Sequence, residues 1–562
     1  MRLTIMAKIL IILIVIGAGA ALLRVVPGLV GHPTATQADP GETQASNVPP
    51  KVVLTGKGLA SGERTAPRAG GCPDLPPVRL SLPVWNAQLG LIYANGGKRA
   101  AAGSLMCEHK VNLELVREDS PERQAQQLAN GTEFAIIHGD TLAAFLVGLG
   151  SGSADLQVVA AAGFSRGDDE FLGPEAWAHD PTAARGGVAI GVLREADWNI
   201  ALKWLGDNSI ANNPVAGSYD PDALNWVGAV SAIEAARRFV KGECVELRNV
   251  KTHETGRHCL DAVGTNAPGV VLLEQKAGLA SIVSTGEYRF ESPAVLLGHR
   301  DWMAAHRDTV TGLLAAMVEG GDALRSGEAA SAKAFALSAE VYGEPDVAPD
   351  PHRARLEGKL GSEAADLADN QELFGIGAGA TDVFGIVYRT FGDLARSQYP
   401  TLVGSFPPPA DVVDASYLGD LVKHGEHSRP ADLARFTKGE KLGEVVSKRN
   451  WKIEFASGSA GLLPETTAEL TALLEDLVLA GSLVVELHGH TDGQGTLDEN
   501  QRLSEARAFA VKSWLEAKAP HEFPEGRVRV VAFGMTRPIA PNATAEGRAR
   551  NRRVEVLLGE GN

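Results

Sequence analysis

Between residue 78 and about residue 425, apolar segments typical of β-strands alternate with segments that have helical periodicity. Asp119-Ser120-Pro121-Glu122 is a helix N-terminal signature, and a long helix is predicted over 307–327. This alternation predicts α/β layers with largely parallel sheets. A region of about 350 residues is large for one hydrophobic core, so we expect two lobes. The predicted strands are 78–85, 111–118, 133–140, 156–164, 186–193, 224–230 and 269–275.

The N-terminus contains the uncharged apolar run ILIILIVIGAGAALL, residues 9–23. A helix over 9–29 could cross a membrane, and we therefore predict a transmembrane anchor in residues 1–30. The small residues IGAGA leave a cleaved signal peptide as the alternative. Either interpretation exports the rest of the chain.

The four cysteines contain no C-x-x-C pair, so a zinc site is not expected. In an oxidising compartment, Cys244 with Cys259 is a plausible local bridge, and Cys72 with Cys107 is the remaining pair. Free buried cysteines are the alternative.

Two segments separate the folded regions. Residues 31–76 are rich in Pro, Gly, Ser and Thr, without an apolar period, which predicts a flexible linker. A second linker is predicted over 426–448, so the α/β region occupies 77–425. The last segment, 449–562, predicts a compact α+β domain with the order β-α-β-α-β-β.

In the last domain, the stretch HGHTDGQGTLDENQRLSEARA places Asp492 in a Gly-rich loop and Arg507 on the helix that follows. Asn500, Leu503 and Arg507 share one face of this helix. If the loop returns the helix over the strand end, Asp492 and Arg507 form two poles of a pocket that suits a zwitterion. The alternative is a plain salt bridge that holds the loop to the helix.

This domain resembles the OmpA-like, peptidoglycan-associated domain of outer-membrane proteins, Pal-type lipoproteins and flagellar stator proteins. Some members have an acid where this chain has Ala456, and Arg552 and Arg553 are expected to be mainly structural. The matching motifs are GHTD (489–492), Asn500, LSEARA (503–508), PIAPNAT (538–544) and GRARNRRVEV (547–556).

The resemblance implies that Asp492 and Arg507 clamp the diaminopimelate end of the wall peptide. It also implies that Asn500, Leu503 and Phe455 line the pocket. Peptidoglycan is therefore the expected partner.

The middle region resembles type 2 periplasmic solute-binding proteins, particularly the phosphate and nitrate/sulfonate branches that serve ABC transporters. The matching segments include LPVWNAQLGLIYANGG (82–97), QQLANGTEFAIIHGDT (126–141) and VVLLEQKAGL (270–279). The resemblance implies two lobes joined by crossing segments, with a small solute in the cleft.

Residues that directly follow strands face the cleft in such folds. The candidates are Trp85, Asn86, Asp140, Thr141 and Glu274. A helix N-cap is the alternative role for Asp140, and a core aromatic is the alternative for Trp85. Two acids are unfavourable for phosphate or another oxyanion, so a cationic or zwitterionic solute stays open.

The sequence contains no pattern for catalysis. HExxH, P-loop, nucleophile-elbow and dinucleotide motifs are absent, and His488 and His490 are expected to be structural, so we predict no enzyme activity, metal or cofactor. The net charge of −16 disfavours nucleic acid, because phosphate binding requires a basic face.

The sequence therefore predicts a two-lobed α/β periplasmic-binding-protein-like domain followed by an α+β OmpA-like domain, with an N-terminal membrane helix. We expect a periplasmic protein, anchored to the inner membrane by residues 9–29, that binds peptidoglycan and presents a module for solute capture or sensing. The alternative is an envelope scaffold whose solute-binding-like domain has lost its ligand and docks a membrane protein partner.

Overall fold

In a computed structural model, the described residues all belong to one compact unit. The predicted membrane helix 9–29, nearly all of the linker 31–76, and Glu274 lie outside them. Among the described helices, none combines the length and the apolar character that a membrane span requires. The described residues are 72, 75–193, 195–208, 210–273, 276, 278–287, 290, 292–343, 362–398, 402–423, 436, 442–451, 453, 455, 458–481 and 483–561.

The strands of this part of the chain form four sheets. In chain order they are β1 (Pro77–Leu82), β2 (Asn112–Arg117), β3 (Phe134–His138), β4 (Leu156–Ser165), β5 (Asp169–Pro174), β6 (Val188–Gly191), β7 (Ala211–Asn213), β8 (Ser218–Tyr219), β9 (Ala223–Gly228), β10 (Cys244–Asn249), β11 (Thr255–Cys259), β12 (Ala262–Asn266), β13 (Leu279–Ser284), β14 (Pro293–His299), β15 (Ser362–Ala364), β16 (Leu442–Trp451), β17 (Val484–Gly489), β18 (Val528–Ala532) and β19 (Val554–Gly561).

The α-helices cover the faces of these sheets. In chain order they are α1 (Leu89–Asn95), α2 (Leu105–Glu108), α3 (Pro121–Ala129), α4 (Leu142–Leu149), α5 (Glu175–His179), α6 (Ala196–Asp207), α7 (Ala232–Val240), α8 (Ala267–Leu273), α9 (Arg300–Ala305), α10 (Arg307–Ser326), α11 (Glu328–Tyr342), α12 (Leu367–Leu373), α13 (Val383–Gln398), α14 (Pro409–Val412), α15 (Ser416–Lys423), α16 (Thr467–Leu479), α17 (Leu497–Lys518) and α18 (Ala545–Asn551).

Two six-stranded sheets make the two lobes of the middle region, which confirms the predicted two-lobed α/β arrangement. The first lobe has the strand order β15-β4-β14-β3-β1-β2, and the second has β13-β5-β12-β6-β9-β7. Only part of each sheet is parallel, because β4, β5, β13 and β14, which enter or leave the crossings between lobes, pair antiparallel with their neighbours. The short strand β15 is also antiparallel to β4, so the prediction of largely parallel sheets is correct only for the pairings among β1, β2 and β3 and among β6, β7, β9 and β12.

The lobes are connected by two adjacent crossings, one between β4 and β5 and the other between β13 and β14. The hydroxyls of Ser165 and Thr285, one from each crossing, lie 2.6 Å apart. The amide of Gly167 donates to the Thr285 hydroxyl at 3.0 Å, so the two crossings are hydrogen-bonded side by side.

The predicted strand 269–275 is wrong, because its first five residues, 269–273, lie in helix α8. Its run of Val, Val, Leu and Leu does not alternate, and a short continuous apolar run fits a buried helix as well as a buried strand. Pro268 stands in the first turn, where a missing amide hydrogen costs nothing. The helix packs on α7 and β12 of the second lobe.

The C-terminal domain is a four-stranded sheet in the order β16-β19-β17-β18, with α16 and α17 between its strands. The α+β prediction is confirmed, with two corrections. Strand β16 occupies 442–451 and so begins inside the predicted linker 426–448, because its pairing with β19 extends to Leu442. Helix α18 is absent from the predicted order β-α-β-α-β-β, so the observed order has a third helix before the last strand.

Both predicted disulfides are present. Cys72 is bonded to Cys107, and Cys244 is bonded to Cys259 across the β10–β11 hairpin. The alternative of free cysteines is excluded.

Candidate functional site

The loop after β17 brings Asp492 to the N-terminal end of α17. Asp492 Oδ1 accepts a hydrogen bond from the amide of Gln494 at 3.1 Å, which tightens the turn. Gly495 has φ of 92°, a left-handed conformation that glycine adopts without strain. Thr496 then caps the helix in a reciprocal arrangement with Glu499, so the loop ends where α17 begins.

Arg507 is almost completely buried, with 1% of its surface exposed. Its Nε donates to the carbonyl of Ser459 at 3.0 Å, and its guanidinium lies 5.2 Å from the centre of the Phe455 ring. The two outer nitrogens, Nη1 and Nη2, are buried and have no hydrogen-bond partner among the described residues. An arginine has five N–H donors, so four of those of Arg507 have no acceptor among the described residues.

Asp492 forms its ion pair with a different arginine. Arg552 Nη1 lies 2.8 Å from Asp492 Oδ2, and among the ion pairs of the described chain none joins Asp492 to Arg507. The described structure therefore does not contain the plain Asp492–Arg507 salt bridge that was the alternative interpretation. The sequence does not predict this pairing of Arg552 with Asp492, which is compatible with the structural role expected for Arg552.

The electrostatics of the pocket leave Arg507 as a buried cation. Burial lowers the pKa of Arg507, the positive charge of Arg552 lowers it further, and Asp492 raises it. A guanidinium remains protonated in proteins even so. The pocket thus contains a permanent positive charge with unused donors, which is an arrangement that can receive a carboxylate in a bidentate geometry.

Of the other predicted pocket residues, Phe455 contacts Arg507 directly, whereas Asn500 binds the loop that precedes the helix. Phe455 is buried against the Arg507 guanidinium, and Leu503 is half-buried on the same helix. Asn500 Nδ2 donates to the carbonyls of Gln494 (2.7 Å) and Thr496 (3.0 Å), so it fastens the loop to α17.

The histidines of the HGH segment have structural surroundings. His490 stacks on Phe533 with ring centres 5.3 Å apart, and burial, with the charge of Arg553, lowers its pKa to about 4. Arg553 pairs with Glu555 through Nε at 2.8 Å, as a structural residue would. Within the described residues there is no group of three His, Cys, Asp or Glu that could hold a metal.

In the middle region, Asp140 lies at the interface between the lobes and is 4% exposed. Its Oδ2 accepts from Asn199 of the second lobe at 2.9 Å, and its Oδ1 accepts from Ser292 in the crossing at 3.1 Å. Thr141, not Asp140, occupies the N-cap position of α4. Burial raises the pKa of Asp140 to about 6, although these hydrogen bonds lower it.

The remaining cleft candidates do not converge on an open site. Trp85 is buried and stacks on His138, with ring centres 3.9 Å apart. Asn86 is half-buried at the start of a 3-10 helix, and the Thr141 hydroxyl donates to the carbonyl of His138 at 3.0 Å. The core-aromatic alternative for Trp85 agrees with this burial.

Further acids lie near Asp140 and were not singled out from the sequence. Burial raises the pKa of Asp197 to about 7, with Asp140 adding to the effect. Burial also raises the pKa of Asp169 and of Glu195, and neighbouring carboxylates raise both further. The lobe interface is therefore acidic.

Comparisons with known proteins locate one family domain. The OmpA family model matches residues 454–552. Outer membrane porin F of Pseudomonas aeruginosa is 31% identical over 207 residues, which are 36% of this chain and 54% of the porin. Peptidoglycan-binding protein ArfA of Mycobacterium tuberculosis is 35% identical over 106 residues, 19% of this chain and 32% of ArfA. The chain thus spans between a third and about half of these relatives.

Among solved structures, the alkanesulfonate-binding protein SsuA from Xanthomonas axonopodis, bound to MOPS, is similar to the chain. It has 14% sequence identity and a TM-score of 0.41, and the match covers 60% of this chain and 98% of SsuA. The family match therefore lies within the C-terminal domain.

Proposed function

We propose that the protein binds peptidoglycan non-covalently through the pocket of Asp492 and Arg507. The observation that carries this proposal is the buried Arg507 guanidinium, whose Nη1 and Nη2 have no partner among the described residues. Removing a charge from water is costly unless it is paired, so a carboxylate that enters the pocket regains the lost interactions.

The second pole defines the kind of carboxylate. Asp492 is near enough to Arg507 to raise its pKa, and its carboxylate can accept hydrogen bonds from an ammonium. A ligand with a carboxylate and an ammonium on one carbon satisfies both poles. The diaminopimelate end of a wall peptide has this zwitterionic group, as the resemblance to OmpA-like domains implies, and ArfA is by name a peptidoglycan-binding protein.

This proposal places the C-terminal domain in the cell envelope, where peptidoglycan lies. The apolar segment 9–29 would then hold the other end of the chain at the inner membrane, with the linker 31–76 as the spacer.

The proposal is tested by sedimenting the full chain with isolated peptidoglycan sacculi. Arg507→Ala and Asp492→Ala should stay in the supernatant, because losing one partner of a buried charge pair costs about 2–5 kcal/mol of binding energy. Arg502→Ala is the matched control, since Arg502 is on the same helix but exposed. Free diaminopimelate should release the wild-type protein from the sacculi.

Equal sedimentation of the wild type and the two pocket variants would overturn the proposal. A wild-type protein that never sediments would overturn it as well. Circular dichroism of each variant confirms that its fold is retained.

For the middle region, we propose the scaffold function in preference to capture of an oxyanion. Asp140 accepts a hydrogen bond from Asn199 across the lobes and Trp85 is buried, so neither side chain is open to a solute in the cleft. The buried acids Asp169 and Asp197 also offer an anion no positive charge.

A thermal-shift series with phosphate, an alkanesulfonate and free amino acids tests this second proposal. A scaffold should keep its Tm within about 1 °C at any of these solutes, because a ligand stabilises only a fold that binds it. A concentration-dependent rise in Tm with any of them would restore solute capture as the function.

A further inference from the structure

Helix α16 of the C-terminal domain forms ion pairs with both lobes of the middle region. Asp476 Oδ1 lies 3.1 Å from Lys203 Nζ, and Lys203 is only 8% exposed. The neighbouring Glu475 lies 3.3 Å from Arg389 Nη2. Two adjacent acids on one helix therefore contact two different elements of the middle region.

Those two elements belong to different lobes. Lys203 is on α6, which packs on strands β5 and β12 of the second lobe. Arg389 is on α13, which packs on α4 of the first lobe. Helix α16 also packs directly on α13, so its contact with the first lobe is more than a surface ion pair. Its contact with the second lobe is the Lys203–Asp476 pair, which is largely buried.

The same helix α6 also forms the direct link between lobes. Asn199 donates to Asp140 of the first lobe at 2.9 Å. Lys203 follows Asn199 by four residues, so both side chains lie on one face of α6. Rotation of the second lobe away from the first would separate Asn199 from Asp140 and would also displace Lys203 from Arg389.

We propose that helix α16 is a strap that holds the two lobes in one relative position. The lobes separate only when α16 detaches from at least one of them. The position of the C-terminal domain therefore controls opening of the interface between the lobes. The inference does not depend on peptidoglycan binding, because it rests on contacts away from the Arg507 pocket.

The test measures the distance between the lobes in the full chain. Spin labels on Ala304→Cys in the first lobe and Lys241→Cys in the second, both exposed sites, give this distance by double electron–electron resonance. The native cysteines are all in disulfides and do not react. Wild type should give one narrow distance, whereas Arg389→Glu and Lys203→Asp should each add a second, longer distance.

Two further variants make the result specific. Lys203→Asp combined with Asp476→Lys restores an ion pair and should recover the narrow distance. Arg99→Ala removes a comparable pair with Glu114 inside the first lobe and should leave the distance unchanged. If Lys203→Asp does not fold, Arg389→Glu still decides, because Arg389 is partly exposed. Identical distances in the wild type and the reversal variants, or a broad distance in the wild type, would overturn the proposal.

Discussion

The C-terminal pocket and the interface between the lobes both bury ionisable groups, but the groups respond differently to burial. Arg507 cannot give up its proton, so its charge stays in the pocket with two nitrogens unpaired. Asp140 and Asp197 can take up a proton, and burial raises their pKa values to about 6 and about 7. A permanent buried cation requires a partner from outside, whereas a buried carboxyl can become neutral by itself. Because of this difference, we assign a ligand to the pocket of Arg507 and none to the interface between the lobes.

The largest expected effect is the pH dependence of stability that comes from the buried acid Asp197. The folded chain keeps the Asp197 proton up to about pH 7, whereas an unfolded chain loses it at about pH 4. The contribution of Asp197 to the stability of the fold is therefore lowest at high pH. As the pH rises between the two pKa values, the free energy of unfolding falls by about 1.4 kcal/mol per pH unit. Asp197→Asn removes this dependence.

Urea denaturation of the wild type and Asp197→Asn between pH 4 and pH 7 measures the difference. The contribution of a group that Asp197 does not shift, such as His138, is present in both proteins and cancels in the comparison. Parallel pH profiles would show that Asp197 is charged in the folded state, and the contrast with Arg507 would then fail.

Arg507→Met should separate binding from stability. The variant replaces an unpaired buried cation by an apolar side chain of similar length, so without wall material we expect the free energy of unfolding to rise by about 1–3 kcal/mol. Sedimentation with sacculi should be lost in the same variant. A loss of stability instead would mean that Arg507 serves the fold, and the sedimentation result would not then report on a ligand site.

The sequence could predict that Asp492 and Arg507 are close to each other because one local motif contains both. It could not predict that Arg552 pairs with Asp492, because the two residues are 60 positions apart. They meet through sheet register: Gly489 at the end of β17 pairs with Val554 at the start of β19. The residues just beyond these strand ends are therefore neighbours.

A similar limit applied to the fold. Segment 133–140 was predicted correctly as a strand, and 269–275 was predicted wrongly, although both are short apolar runs. Local sequence does not distinguish a buried strand from a buried helix of this length, and the tertiary packing of α8 on α7 and β12 decides. The acids Asp169 and Asp197 were not singled out for a related reason, since nothing local to them indicates that both are buried.

Asp140→Ala should change the free energy of unfolding in the opposite direction from Arg507→Met. It removes an acceptor that serves Asn199 and Ser292, and the two buried donors lose their partner. We expect the free energy of unfolding to drop by about 1–3 kcal/mol. Asp140→Asn keeps the shape and one acceptor, so it should cost less. Equal losses in the two variants, measured by urea denaturation, would show that the hydrogen bonds of Asp140 are not what stabilises this interface.

Arg552→Ala should give the smallest change. Its ion pair with Asp492 is one-third exposed on the arginine side, and exposed pairs contribute less than about 1 kcal/mol to folding. Burial lowers the pKa of Arg507 most, and the variant removes the positive charge of Arg552 that lowers it further. Sedimentation with sacculi should therefore persist in Arg552→Ala and fail in Arg507→Ala. If neither variant sediments with sacculi, the carboxylate of the ligand is shared between Arg507 and Arg552. Burial alone would then not identify the arginine that binds the carboxylate.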